Sequence, residues 1–138
     1  MRDTVRLILV IVLASVANAG IVASTTTDLR DLTLIRVSDI WLLPGLILVG
    51  TLLSLAIGDL GRSALALITA SVAGSLLFAL AVAGPGFSIS AIRVTLIDRA
   101  TNYGLLSLLM CLLFGFAGLV VSWLIDAALG GQQWDERH

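Results

Sequence analysis

Four stretches of this chain carry no charged side chain, and each is about as long as a helix needs to be to cross the apolar part of a bilayer. They are Leu7–Ser24, Ile40–Ile57, Ala64–Gly84 and Tyr103–Ile125. A spanning helix takes roughly 20 mostly apolar residues, within a range of about 17–25. Arg6, Asp28, Asp39, Asp59, Arg62, Asp98, Arg99 and Asp126 fence these windows, and Trp41, Tyr103 and Trp123 stand near their ends, where amphipathic rings prefer the headgroup level. With 138 residues, 59% hydrophobic and 12% charged, the chain has more apolar surface than a soluble domain of its size can bury. The expectation is an all-α, polytopic, integral membrane protein of four transmembrane helices in one domain.

The N-terminus admits a rival reading, because a basic start, an apolar stretch and Ala17-Asn18-Ala19 also compose a signal sequence with its cleavage site. An internal match favours a retained helix. Ala14-Ser15-Val16-Ala17 recurs as Ala70-Ser71-Val72-Ala73 at an offset of 56, and Ile35-Arg36-Val37 recurs as Ile92-Arg93-Val94 at an offset of 57. Nearly equal offsets point to two tandem helical hairpins, halves 1–61 and 62–131, related as parallel repeats by an axis along the membrane normal.

The copied positions share physics. Ser15, Ala19 and Ala23 in the first span match Ser71, Ser75, Ala79 and Ala83 in the third, each four residues from the next, so each series lies along one helix face. In lipid, helices associate by close van der Waals approach at small residues. These two seams are expected to meet. Gly50, Ser54 and Gly58 in the second span and Ser107, Cys111 and Gly115 in the fourth form shorter series, with Gly118 and Ser122 on an adjacent face. Asn18 corresponds to Gly74, and its carboxamide is expected to clamp the helices by donating to the third span, to Ser71 or Ser75 or a backbone carbonyl.

The first and third connections, about residues 25–39 and 85–102, share one side, while Gly58-Asp59-Leu60-Gly61-Arg62 makes a tight turn on the other. Gly84-Pro85-Gly86 should end the third span, since proline lacks an N–H. Ile35–Ser38 and Ile92–Thr95 alternate apolar and polar as a strand does, yet Ile89, Ile92, Leu96 and Ala100 share a helix face. Either way the segments are expected along the interface. There Arg36 would pair with Asp98 and Arg93 with Asp39, or both arginines would face lipid headgroups.

Arginines divide four against four between the two sides, so the positive-inside rule is silent; the short turn places both termini on the cytoplasmic side. A net charge of −1 with scattered arginines excludes a nucleic-acid stripe. No ionisable group falls at mid-depth, where such groups mark function; His138 is the last residue, and Asp126 is the carboxylate placed deepest. Nothing resembles a haem or metal ligand set. The expectation is a non-enzymatic structural or accessory membrane subunit without cofactors. Its partners would be lipid, copies of itself or hetero-subunits, in a cellular complex or a membrane-containing virion. The alternative is a small oligomeric channel or carrier.

Overall fold

The structure, a computed structural model, describes residues 2–25, 39–88 and 93–129. These residues form four α-helices: α1 (Arg2–Thr25), α2 (Leu42–Ile57) preceded by a single 3-10 turn at Asp39–Trp41, α3 (Leu60–Ser88) and α4 (Arg93–Leu129). Three segments, Thr4–Ser24, Leu60–Gly84 and Val94–Leu129, are long and apolar enough to cross a membrane. The remaining helix, α2, is more apolar still but has only 16 residues.

Local chemistry sets the helix ends. Pro44 lies in the first turn of α2, where the missing N–H would have had no intrahelical partner anyway. At the other end Gly58 takes φ +72° and its N–H donates to Ser54 O at 2.8 Å, a left-handed stop that a Cβ disfavours. Asp59 then caps α3: its Oδ1 accepts the Arg62 N–H at 2.7 Å, and its carbonyl accepts the Ser63 N–H at 2.9 Å. Two residues thus close one helix and open the next.

Two expectations fail. The helix does not stop at Gly84-Pro85-Gly86; α3 continues to Ser88. A proline bars its predecessor from helical geometry mainly through that residue's Cβ and N–H, and Gly84 has no Cβ, with open space where one would stand. Nor does residue 93 onward form an interfacial strand or a separate surface helix. It is the first part of α4, which runs unbroken for 37 residues, and Ala100 is buried there.

Around the bundle α1 packs on α3, α3 on α4, α4 on α2 and α2 on α1, with a lesser contact of α2 on α3. Of the three sequential pairs, α3 and α4 are packed far more extensively than α1 and α2 or α2 and α3. One apolar cluster joins Val22, Leu46, Phe78, Val82 and Cys111, and a second joins Ala14, Leu53, Leu67, Ala70 and Leu119. The order of these residues along each helix means that successive helices run in opposite directions.

The distribution of polarity is inverted relative to a soluble protein. Ser63, Ser71, Ser107 and Ser122 are fully buried, while Leu65 is 68% exposed and Leu76 60%. A surface of leucines is at home in hydrocarbon, where apolar side chains gain nothing by hiding. Several hydroxyls satisfy themselves inside their own helix: Ser15 Oγ donates to Ile11 O at 2.7 Å and Ser63 Oγ to Asp59 O at 2.6 Å.

Candidate functional site

The bundle interior is a seam of glycines and hydroxyls, and its tightest part lies between α2 and α4. A Cβ at Gly50 would overlap the carbonyl of Gly115, and one at Gly118 would overlap the carbonyl of Ile47 and stand 2.7 Å from Thr51 N. Backbone therefore meets backbone. Thr51 Oγ1 lies 2.9 Å from Ile47 O and 3.1 Å from Gly118 O, so its proton is shared between its own helix and α4. Interhelical bonds of this kind average about 0.6 kcal/mol in membranes. Gly115 also admits Leu67 of α3, whose Cδ1 would be 2.6 Å from an added Cβ.

Between α1 and α3 the close approach is at Gly74, where a Cβ would come within 2.8 Å of Ser15 O and 3.1 Å of Asn18 Cβ. Ser15, Asn18, Ser71 and Ser75 are buried, and Ala19 and Ala23 are half-buried against the cluster around Val22. The two expected seams do not simply face each other. Ser75 and Ala79 turn toward α4, with Ser75 Oγ donating to Ser107 Oγ at 3.4 Å and an added Cβ on Gly104 falling 3.1 Å from Ala79 Cβ. Helical geometry explains the split: residues 74 and 75 point about 100° apart, given 3.6 residues per turn, so α3 serves two neighbours.

Asn18 makes no clamp. Its Nδ2 is buried without a hydrogen-bond partner, as are Ser71 Oγ and Ser122 Oγ, and the Asn18 atom nearest the Gly74 Cβ position is its Cβ. Ser54 is buried and spends its carbonyl on Gly58. Asp126, expected to be the deepest carboxylate, is exposed, as are Asp59 and Asp98. Arg36 and the side chains of Asp39 and Arg93 lie outside the described residues, so the two crossed ion pairs do too. No three His, Cys, Asp or Glu side chains gather among the described residues.

Some contacts escaped the sequence reading. Ala100, Gly104, Ser107 and Cys111 form one small-residue face of α4, but its first two members straddle the border expected between loop and span. Arg6 Nη2 donates to Ala56 O at 3.0 Å, a pairing between two span ends that no local pattern encodes. No protein-family model matches this chain, and no curated protein or solved structure matches it.

Proposed function

We propose that this chain is a non-catalytic structural or accessory membrane subunit, which packs with itself or with partner membrane proteins in a larger assembly of a cell or a membrane-containing virion. The carrying observation is the interior itself: backbone contacts at Gly50, Gly74, Gly115 and Gly118, and among the described buried residues only Ser, Thr and Asn as polar side chains. Such an interior suits fixed helix register. It offers no nucleophile-base pair.

In this reading the chain crosses the membrane four times. At about 1.5 Å per residue for α2 and about 2 Å for its 3-10 turn, the two together reach about 30 Å, the thickness of bilayer hydrocarbon. The crossings form two tandem hairpins with both termini cytoplasmic. Asn18 lying against Gly74, its counterpart at offset 56, supports the duplication. The second pair of equivalent helices departs from it, since offset 57 sets Gly50 on Ser107 whereas Gly50 meets Gly115, about two turns away. A furrow of about 530 Å³ on the outer side of α3 and α4, floored by Ala79, Ala83, Ala100 and Gly104, supplies the small residues at which another helix can approach.

Extraction in a gentle detergent followed by identification of everything that copurifies tests this. A partner, or further copies, in fixed ratio is expected; a monodisperse monomer with nothing bound refutes the subunit. The alternative, an oligomeric channel or carrier, is favoured by the unpartnered Asn18 Nδ2, Ser71 Oγ and Ser122 Oγ, since buried polar atoms commonly bond to water. Its signature would be solute flux in liposomes that Asn18→Leu abolishes while assembly persists.

A further inference from the structure

The loose contact between α1 and α2 leaves a furrow whose chemistry changes along its length. At its mouth, about 370 Å³ is lined by Thr4, Arg6, Leu7, Ala56 and Arg62 among others. Val10 and Ala56 also line the next stretch, about 270 Å³ and almost wholly apolar, which continues past Leu13, Ala17 and Leu52. The two cavities share the walls Val10 and Ala56, and of the two the first carries the guanidinium groups while the second is greasy.

Arg6 is held at the mouth by its bond to Ala56 O, in the last turn of α2 where unsatisfied carbonyls attract cations. A guanidinium has further N–H donors in a fork suited to phosphate oxygens. Arg62 lines the same mouth. Asp59 is engaged in capping α3 and does not line the mouth, so the lining holds two guanidinium groups and no carboxylate, an excess of positive charge. From Arg6 to Ala17 the furrow follows α1 for about 16 Å, against about 15 Å for half the hydrocarbon thickness.

We propose that the α1/α2 furrow binds one anionic phospholipid, its phosphodiester between Arg6 and Arg62 and one acyl chain laid along Val10, Leu13, Ala17 and Leu52. A headgroup whose only charge is the phosphodiester balances the excess positive charge. A zwitterionic headgroup brings a second cation toward two arginines. The inference rests on residence in a membrane and not on the subunit reading.

The test is native mass spectrometry of the full chain released from detergent, with phosphatidylglycerol or phosphatidylcholine of identical acyl chains added. One phosphatidylglycerol per chain is expected to be retained in preference to phosphatidylcholine, and millimolar inorganic phosphate should not displace it. Arg62→Gln, which spares the Arg6–Ala56 bond, should weaken retention about tenfold, as loss of a charged hydrogen bond does. Ala17→Phe, which fills the apolar stretch and touches neither arginine, should weaken it as well. Equal retention of the two lipids, displacement by phosphate, or indifference to either substitution in a chain of unchanged helicity would overturn the proposal. The oligomeric mass in the same spectra bears on the subunit reading alone.

Discussion

At the scale of single residues, glycine in this protein does two opposite things, and the same substitution separates them. Gly20→Ala, with nothing within 4 Å of the added methyl, should stabilise the protein by about 0.5–1 kcal/mol, because alanine loses less conformational freedom in a helix. Gly50→Ala puts the methyl into the Gly115 carbonyl and should destabilise by about 1–3 kcal/mol, the usual range for overpacking a tight core. Unfolding titrations in mixed micelles read both, and equal effects would deny the backbone contact. Asn18→Leu tests the buried amide. With Nδ2 lacking a partner, removing it should leave stability unchanged or raise it by about 1 kcal/mol, since an unsatisfied buried donor carries a desolvation penalty of about that size. A loss of stability in the same titration would mean that a bond, direct or through water, is made there. That Gly50 and Asn18 lie inside the bundle agrees with the sequence, because small and polar residues stand out in an apolar run. What each touches was not legible there, since spacing gives a face and never the neighbour across it.

Among the elements, the tight turn expected at Gly58–Arg62 is present but shorter, since Leu60, Gly61 and Arg62 already belong to α3 and only Gly58 and Asp59 stand between the helices. Gly58 and Asp59 sit between two apolar runs, and left-handed glycine and capping aspartate are what such a joint requires. Asp59→Ala should cost about 0.5–2 kcal/mol and speed hydrogen exchange of the first amides of α3, Arg62 and Ser63, before those deeper in the helix; uniform protection would deny the cap. The opposite end of α3 was misread because proline is weighed as a breaker without regard to its predecessor. With Gly84 before it, the clash between the proline and a preceding Cβ is absent. The first turns of α4 were ambiguous for a different reason: over so short a stretch, alternation and helical period both fit Ile92–Ala100, and packing of Ala100 on α3 decides for the helix.

For the whole molecule, three helices long and apolar enough to cross a membrane were legible from charge-free length, whereas the ring order α1, α3, α4, α2 was not. The closeness of α3 to α4 depends on Gly104 and Ala79 meeting, a pairing across two helices that no repeat or period predicts. Cys111 reports on this packing, being 1% exposed between the helices. A maleimide should leave it unmodified in mild micelles and label it fully once the bundle is opened in dodecyl sulfate, while a cysteine placed at exposed Leu105 should react in both; prompt labelling of Cys111 in mild micelles would mean the bundle is open there. The Gly58-Asp59 joint has one more consequence, for how the chain would enter a membrane in the four-crossing arrangement proposed above. Two residues reach about 7 Å at full extension, far less than the roughly 30 Å of hydrocarbon, so in that arrangement the end of α2 and the start of α3 share a leaflet once both are made. In the proposed four-crossing arrangement the shortest helix would thereby be spared a solitary partition into lipid: its end stays yoked to that of a longer, apolar companion, and insertion of the two as one hairpin is the expected route.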